Sequence, residues 1–423
     1  MTDFNRRQFV AGAAAVTGVA LARPAIGAGA KARIVIVGGG FGGASIARYL
    51  NRADPTLSIT LIEKDAQFTT CPFSNFVLGG LLTLDKISFG YDKVKATGIA
   101  MVQDTATKID PVKKSVATAS GKSFDYDYLV LSPGIQFDWT AIQGYDEAAS
   151  QIMPHAYQAG PQTTLLRNQL QAMPDGGQVI IAVPAMPFRC PPGPYERASL
   201  IAYYLKANKP KSTITILDAS DSFIKQDLFM EAWNRLYPGM IKWVSASNSG
   251  KVSSVDAKAM KVSTDFDDYQ AAVANIIPPQ KAGQIALDLG LDQGTGWCAI
   301  DTITFESKVQ KGIYVIGDAT IAGEMPKSGF AANNQAKACG RAILADIAGT
   351  TVQPSKLINV CYSTVEPDYA FEIVDDFTQS ATNIGLSYQD DRTTPLKASD
   401  AVHKAEADNA KSWYANITTE MFG

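Results

Sequence analysis

The sequence has little histidine, little net charge and no long hydrophobic segment. Only two histidines, His155 and His403, occur among 423 residues, and there is no Cys-x-x-Cys-His motif. Because c-type haem is attached through that motif, the chain carries no haem site of its own, and two histidines cannot build a histidine-rich metal site. The formal net charge of −3 gives no basic field that would favour nucleic acid. No apolar run is long enough to cross a bilayer as a helix.

The first thirty residues have the layout of an export signal and are excluded from the fold. Arg6 and Arg7 are followed closely by Phe9, then by a weakly apolar run over 10–22 and small residues up to Ala30. Paired arginines before such a run are typical of twin-arginine signals, whose pathway carries folded proteins. We therefore expect residues 1–30 to be a signal peptide and the mature protein to be soluble and periplasmic.

A dinucleotide-binding fold is predicted directly after this leader. Residues 33–37 form a buried strand, a glycine motif follows, residues 44–52 form a helix, and residues 58–62 form the next strand. The motif provides a tight turn, close backbone approach to a pyrophosphate, and helix-to-strand packing, while an acid after the second strand binds the adenosine ribose. We assign these roles to Gly38, Gly40, Gly43 and Glu63, with Lys64 also placed at the cofactor.

Two later segments favour FAD over NAD. Tyr126 to Gly134 and Gly312 to Ala319 read as strands ending in small-residue turns, the second in Gly-Asp. Both resemble marker segments of the glutathione-reductase-like flavoproteins. This resemblance implies that the turn residues lie at FAD and that the Asp binds its ribityl-pyrophosphate part, although Gly-Asp alone is equally compatible with an ordinary turn. The helix predicted over 329–347 should aim its N-terminus at the flavin. The cofactor residues assigned here are Ser132, Gly134, Gly317 and Asp318.

The chain contains an internal repeat of this unit. Residues around 50–63 match residues around 205–218, so that residues 178–182 become the first strand of a second Rossmann-like unit. The loop after that strand, 183–193, is rich in proline and lacks the glycine fingerprint. Proline removes N–H donors and the missing glycines prevent close backbone approach, so NAD(P)H binding is disfavoured.

Five cysteines are an odd count for an exported protein. Cys190 lies in the proline-rich loop and Cys361 lies shortly after the predicted flavin-facing helix, so a redox pair beside the flavin is a hypothesis. A structural disulfide and buried free thiols remain alternatives, because four cysteines allow three pairings. If the pair is redox-active, we expect burial of an anionic site near helix starts to hold its thiolate form at neutral pH.

Three segments together resemble the flavoprotein subunit of flavocytochrome c sulfide dehydrogenase. They are the Thr-Cys-Pro-Phe-Ser-Asn run over 70–75, the Phe-Arg-Cys-Pro-Pro-Gly-Pro-Tyr-Glu run over 188–196, and the segment around Cys361. The resemblance implies that Cys71 holds FAD covalently through its 8α-methyl carbon and that Cys190 and Cys361 form the redox disulfide. It also implies that Glu196 accepts the proton of sulfide, and that a c-type cytochrome partner carries the haem.

Each of these assignments has a plainer alternative. Cys71 is also compatible with a buried small hydrophobe, and Glu196 with a residue that caps the helix beginning near it. Cys298 and Cys339 receive no role. A sulfide:quinone reductase, a type II NADH dehydrogenase and a flavin-bound scaffold without turnover remain rival functions, although the polar C-terminal tail and the missing second fingerprint argue against the first two.

The predicted fold class is α/β, a two-domain Rossmann-like flavoprotein with an added C-terminal α+β domain. The domain bounds that we predict are 1–30 for the signal peptide, 31–150 with 283–350 for the FAD domain, 151–282 for the second Rossmann-like domain, and 351–423 for a C-terminal interface domain.

Overall fold

The computed structural model describes residues 31–388 and 392–423, so the predicted signal peptide lies outside the described residues. The first part of the described chain, residues 31–160, contains ten strands and three helices. They are β1 (Arg33–Val37), α1 (Phe41–Ala53), β2 (Ser58–Glu63), β3 (Gln67–Thr69), α2 (Ser74–Gly79), β4 (Ser88–Gly90), α3 (Asp92–Lys95), β5 (Ala100–Gln103), β6 (Ala106–Asp110), β7 (Ser115–Thr118), β8 (Ser123–Asp125), β9 (Tyr128–Leu131) and β10 (Ile135–Phe137).

The middle of the chain, from residue 161 to 282, contains eight strands and three helices. They are α4 (Pro161–Ala172), β11 (Gln178–Val183), α5 (Gly193–Asn208), β12 (Thr213–Asp218), α6 (Gln226–Leu236), β13 (Ile241–Val244), β14 (Val252–Asp256), β15 (Lys261–Thr264), β16 (Asp268–Gln270), β17 (Val273–Ile276) and β18 (Gln280–Ala282).

The remainder of the described chain contains six strands and three helices. They are α7 (Gln284–Leu287), β19 (Cys298–Ala299), β20 (Ile313–Val315), β21 (Thr320–Ile321), α8 (Gly329–Ile347), β22 (Lys356–Glu366), β23 (Tyr369–Gln379), β24 (Ile384–Tyr388) and α9 (Asp400–Phe422). Single 3₁₀ turns cover Leu84–Ile87, Ala149–Gln151, Ala246–Asn248 and Gly317–Ala319.

A five-stranded parallel sheet forms the first nucleotide-binding unit, in the order β20-β9-β1-β2-β5. Val37 pairs in register with Ile62 of β2 and Leu131 of β9, so these strands end together. The predicted cofactor residues follow these strand ends. Ligands of open parallel sheets bind outside this carboxyl edge, which places the cofactor there.

Helix α1 begins at Phe41, three residues earlier than the predicted start at residue 44. Gly40 is its extended N-cap, and Gly42 and Gly43 are buried in its first turn. The glycine motif therefore forms the helix start itself. The N–H groups that would donate hydrogen bonds to a phosphate therefore belong to the motif itself, because the free N–H groups of a helix lie in its first turn.

The middle part of the chain repeats this geometry in a four-stranded parallel sheet, β13-β12-β11-β17. The β11–β12 pair has the same parallel arrangement as β1–β2, and Asp218 ends β12 as Glu63 ends β2. The antiparallel pair β10–β18 joins the two units.

The last part of the chain is a three-stranded antiparallel sheet, β22-β23-β24, with the long helix α9. Ser399 caps α9 by accepting a hydrogen bond from the N–H of Val402. At its other end Phe422 stacks on Phe68 and Phe89 of the first unit, with ring centroids 5.9 Å and 5.2 Å away. The fold is thus the predicted α/β flavoprotein class, with an α+β segment packed against its first unit.

Candidate functional site

A cavity of about 920 Å³ lies at the carboxyl edge of the first sheet. It receives residues from both Rossmann-like units and from the C-terminal segment. Twelve of the thirteen predicted site residues line it: Gly38, Gly40, Glu63, Lys64, Cys71, Ser132, Gly134, Cys190, Glu196, Gly317, Asp318 and Cys361. Gly43 is the exception, and its role is packing beneath the cavity.

The two ends of the glycine motif leave no room for a side chain. Gly38 has φ +98°, and a Cβ there would lie 2.2 Å from the carbonyl oxygen of Ser132. A Cβ on Gly43 would lie 1.7 Å from the carbonyl oxygen of Gly38. These contacts bring α1 directly onto the β1 turn, which is the close approach that a pyrophosphate-binding loop needs.

The acid after β2 is held beside that turn. The Oε2 atom of Glu63 accepts a hydrogen bond of 2.7 Å from the N–H of Gly39, and its Oε1 atom accepts one from Asp65. Tyr91 donates to the Gly39 carbonyl at 3.0 Å and supports the same loop. The neighbouring Lys64 lines the cavity, but its ammonium group pairs with Asp65 at 2.9 Å and is exposed.

Asp318 provides the clearest test of whether the cavity fits FAD. Its side chain is 14% exposed, and its buried Oδ1 atom has no hydrogen-bond partner among the described residues. Burial raises the pKa of this carboxyl, which the charges of Arg189 and Lys327 partly oppose. A buried acceptor with a free oxygen in a cavity is what the polyol hydroxyls of FAD require. The residues therefore fit the group.

Arg189 was not predicted from the sequence, yet it lies between the cofactor groups and the thiols. Its guanidinium is 3.9 Å from Asp318, it donates to the carbonyl of Tyr157, and its Nε atom has no partner among the described residues. The only sequence signal was its position beside Cys190. An arginine here fits the negative charge of a bound pyrophosphate or of an anionic sulfur species.

The N-terminus of α8 also meets the cavity. Ser328 caps this helix by accepting a hydrogen bond of 3.0 Å from Ala331, and it donates to Asn359 at 2.6 Å. Gly329 and Phe330, the first residues of the helix, line the cavity. The bounds of α8 are those predicted from the sequence. Its positive dipole end would favour an anionic group at this position.

Three thiols face this cavity: Cys71, Cys190 and Cys361. All five cysteines of the chain are free thiols in this structure. Cys190 has φ +55°, a left-handed conformation that is uncommon for this residue type. Its backbone is fixed by a bond from its N–H to the Lys327 carbonyl and one from the Tyr157 hydroxyl to its own carbonyl. The structure brings the three cysteines to one cavity, and the pairing of Cys190 with Cys361 stays a prediction.

The expectation that helix starts hold these thiols ionised is wrong. Burial raises the pKa of both Cys190 and Cys361, and for Cys190 the charge of Glu196 raises it further. For Cys361 two groups act in the opposite direction: the charge of Lys225 and a hydrogen bond from Asn359. Desolvation is the largest cause at both positions, because taking a thiolate out of water penalises its charged form.

Glu196 is in the first turn of α5, but it does not bond to the start of its own helix. Its Oε2 atom accepts a 2.7 Å bond from the side chain of Asn75, and its Oε1 atom accepts a 3.0 Å bond from the N–H of Thr364. The carboxyl therefore joins α5 to α2 and β22 at the cavity wall. Burial raises its pKa, and the two hydrogen bonds oppose that rise.

Several functional neighbours were missed by sequence reasoning. Lys225 donates to the Cys361 carbonyl at 2.5 Å, and the Asn359 amide lies 3.5 Å from the Cys361 sulfur. Arg197 is almost fully buried, where it bonds to Asn75, Asn275 and two backbone carbonyls. These residues carry no local motif, since their partners lie far away along the chain.

The crevice of the second unit is filled by the chain's own side chains. Asp218 occupies the position that corresponds to Glu63, and it is fully buried. Its Oδ2 atom accepts hydrogen bonds from Tyr195 at 2.5 Å and from Trp243 at 2.9 Å. An acid sealed in this way is not available to the ribose of a pyridine nucleotide, which agrees with the loss of the glycine fingerprint in this unit.

The described residues contain neither a cluster of metal ligands nor a membrane-spanning helix. Across residues 31–388 and 392–423, no group of three or more His, Cys, Asp and Glu side chains is arranged to hold a metal ion. Within the same ranges, no helix combines the length and the apolar character needed to cross a membrane.

Three protein family models match successive parts of the chain. The family described as pyridine nucleotide-disulphide oxidoreductase matches residues 32–164. The central part of the sulfide dehydrogenase (flavocytochrome c) flavoprotein chain matches residues 163–278, and the flavin-binding part of flavocytochrome c sulphide dehydrogenase matches residues 353–422. These matches support FAD binding by this chain, and the unpartnered oxygen of Asp318 among the described residues makes the cavity a site that fits the group.

Individual relatives give the same picture. The flavoprotein chain of sulfide dehydrogenase (flavocytochrome c) from Chlorobaculum thiosulfatiphilum is 62% identical over 45 residues, which are 11% of this chain and 94% of that sequence. The mitochondrial sulfide:quinone oxidoreductase of Mus musculus is 22% identical over 298 residues, 68% of this chain. The chain spans 65% of the length of that relative.

A solved structure supports the fold. The sulfide:quinone oxidoreductase of Aquifex aeolicus superposes with a TM-score of 0.74 at 21% identity, covering 92% of each chain. At this identity the likeness concerns the fold alone. The sequence matches carry the family assignment, and we conclude that this chain belongs to the family of flavocytochrome c sulfide dehydrogenase flavoprotein chains.

Proposed function

We propose that this protein oxidises sulfide in the periplasm through a redox disulfide of Cys190 and Cys361 and covalently held FAD, and that the electrons pass to a c-type cytochrome subunit. One observation carries the proposal. The two thiols, the half-buried carboxyl of Glu196 and an Asp318 oxygen that has no hydrogen-bond partner among the described residues all line one cavity. A sulfur nucleophile, an electron relay and a flavin can therefore be within reach of one another.

The cysteine pair carries out the sulfur chemistry. A hydrosulfide ion attacks one sulfur of the disulfide, so that the bond between the two cysteines breaks and one cysteine becomes a persulfide while the other leaves as a thiolate. A second hydrosulfide then attacks the outer sulfur of the persulfide. The two sulfide sulfurs leave together as disulfane, and the cysteine is released as a thiolate. Two sulfides have then lost two electrons, and both cysteines are reduced. Bound FAD supplies the two-electron acceptor that restores the disulfide, and it can release those electrons singly to a haem.

Glu196 is the proposed proton acceptor for incoming hydrogen sulfide. Its raised pKa, caused by burial, moves a carboxylate toward the range in which a general base is effective near neutral pH. The bonds from Asn75 and Thr364 hold the carboxyl in one orientation at the cavity wall. The same bonds connect the base to the segment that contains Cys361.

Cys71 is the proposed covalent attachment point for FAD. Its side chain is partly exposed to the cavity, with the sulfur 3.8 Å from the Tyr157 carbonyl. A thiol that needed only to fill a core would be expected to be fully buried, as Cys298 and Cys339 are. Attachment at Cys71 would also leave four other cysteines, an even number.

The electron acceptor has two candidates, a c-type cytochrome and a quinone. The cytochrome partner is favoured by the similarity to a flavoprotein chain of flavocytochrome c, and by the twin-arginine pattern at residues 6–10. A quinone acceptor is favoured by the similarity to sulfide:quinone oxidoreductases, including the mouse protein. A flavin-bound scaffold without turnover is the third possibility.

An anaerobic titration of the purified chain decides among these. Bleaching of the flavin absorbance by sulfide, with reoxidation by a co-purifying c-type cytochrome, is the expected result. Reoxidation by a soluble quinone alone would move the protein to the quinone reductases. Bleaching by NADH would overturn the interpretation of the second unit, and a flavin that no donor reduces would support the scaffold. Flavin that remains on the Cys71 peptide after acid precipitation would establish the covalent bond.

A further inference from the structure

Lys225 places a positive charge next to the strand segment that contains Cys361. The residue precedes α6 and belongs to the second unit, whereas the atoms it contacts belong to β22. Its Nζ atom donates to the Cys361 carbonyl at 2.5 Å and to the Ser363 hydroxyl at 3.1 Å. Both acceptors are neutral, so the positive charge is not cancelled by its hydrogen-bond partners.

The position of Lys225 is fixed by its surroundings. Its backbone has φ +61°, a left-handed conformation that non-glycine residues adopt rarely and mainly where the structure requires it. The ring of Phe371 lies 5.6 Å from Nζ, and Ser363 is completely buried. A lysine held by an aromatic ring and two oxygens has lost most of the freedom that a surface lysine keeps.

We propose that Lys225 is the positioning residue that holds Cys361 and stabilises the negative charge this cysteine carries when the disulfide opens. This inference rests on the proposed function. A charge reaches Cys361 whichever sulfur is attacked, because the cysteine becomes either the leaving thiolate or the persulfide. A nearby ammonium group favours either anion over its protonated form.

Other ionisable groups face Lys225, and their charges interact with its ammonium group. The carboxyl groups of four acids from α5, β23 and α9 act on it, together with the two thiols: Glu196, Glu372, Asp375, Glu406, Cys190 and Cys361. Desolvation lowers the pKa of Lys225, and the charges of Cys361, Glu196, Cys190 and Asp375 oppose the shift. Burial and Glu196 raise the pKa of Cys190 against the charge of Arg189, whereas burial, Asp375 and Glu196 raise that of Cys361 against Lys225 and the Asn359 hydrogen bond, which lower it. The two cysteines of one pair therefore differ in how well they carry charge.

The test is alkylation of the reduced holoprotein under anaerobic conditions. Iodoacetamide reacts with thiolates, so its rate at Cys190 and Cys361 between pH 6 and 10, measured by mass spectrometry of the two peptides, reports ionisation without requiring turnover. In the wild type we expect Cys361 to react at lower pH than Cys190. Lys225→Met should slow Cys361 about tenfold at pH 8, which corresponds to about one pKa unit, and should affect Cys190 less. Lys225→Arg should restore most of the rate.

The control is Lys242→Met, which removes an exposed lysine from the same unit and should leave both rates unchanged. Lys225→Gln, which keeps a donor but removes the charge, serves if the methionine variant does not fold and should show the same slowing. An unchanged Cys361 rate in a folded variant would overturn the inference, as would a wild type in which Cys190 titrates first. Failure of sulfide to bleach the wild-type flavin would instead refute the proposed function, so the two failures are distinguishable.

Discussion

Replacing Gly43 with alanine tests the link between helix packing and the FAD site. The added Cβ would lie 1.7 Å from the carbonyl oxygen of Gly38, whereas contacts under 3.0 Å are essentially never observed for real Cβ atoms. The obstacle is backbone, so α1 must move away from β1 by more than an ångström. The interface it would open is lined by fully buried side chains such as Ile46 and Leu50.

The expected cost follows from that displacement. Overpacking a close-packed interface costs about 1–3 kcal/mol, and here a backbone contact is lost as well, so about 3 kcal/mol or more is expected. For a chain of this length, differential scanning calorimetry should show a Tm lowered by at least about 3–4 °C. The ratio of flavin to protein absorbance should fall, because the turn at Gly38 shifts with the helix.

Gly90→Ala is the matched control. Nothing lies within 4 Å of a Cβ at Gly90, and its backbone is not left-handed. This variant should stay within about 0.5 kcal/mol of the wild type and keep its flavin. If Gly43→Ala purified with a full complement of flavin and an unchanged Tm, the packing role assigned to this glycine would be refuted.

Three further predictions concern single side chains. Cys361→Ser should keep FAD but slow flavin reduction by sulfide at least about 100-fold, whereas Cys339→Ala, outside the cavity, should not; rapid reduction in the serine variant would eliminate the disulfide role. Glu196→Gln should slow reduction by about 10²-fold in stopped-flow measurements, the usual value of a general base, and an unchanged rate would leave Glu196 a structural residue. Burial raises the pKa of Glu406 to about 7. The folded state therefore binds a proton that the unfolded chain releases, and the free energy of unfolding that this proton contributes is lost as the pH rises through 7. Glu406→Gln should therefore raise the free energy of unfolding at pH 8 by about 1–2 kcal/mol, allowing for solvent screening, with a smaller gain at pH 5 by urea titration; equal gains at both pH values would contradict this.

The first nucleotide-binding unit was largely predictable because its signals are local. The strand, the glycine spacing and the acid after β2 lie within one short stretch of chain, and each has a distinct physical requirement. The bounds of α8 were also predicted, since a run of small and apolar residues at helical spacing is uninterrupted there. The start of α1 was misplaced because glycines were assigned to the turn, although Gly42 and Gly43 are helical.

The surroundings of Cys361 and Glu196 were less predictable because their contacts join residues that are far apart in the sequence. Lys225 and Asn359 have no motif, and their relation to Cys361 depends on how a loop of one unit docks on a strand of another segment. Glu196 shows the same limit. Its position in a first turn suggests a cap by local rules, whereas its bonds go to Asn75 and Thr364. The ionisation of the thiols was misjudged because burial depends on the whole fold.

The docking of α9 has a consequence for the order in which the molecule assembles. Ala410 and Trp413 of this helix line the same cavity as Gly38, which directly follows β1, and Phe422 stacks on rings of the first unit. Contacts between segments so distant along the chain form late in folding, because loop closure precedes any gain from them. A partly synthesised chain has the glycine turn after β1 but lacks the part of the cavity wall that Ala410 and Trp413 form. Stable enclosure of the flavin is therefore expected to be a late step, which follows rather than nucleates the folding of the two sheets.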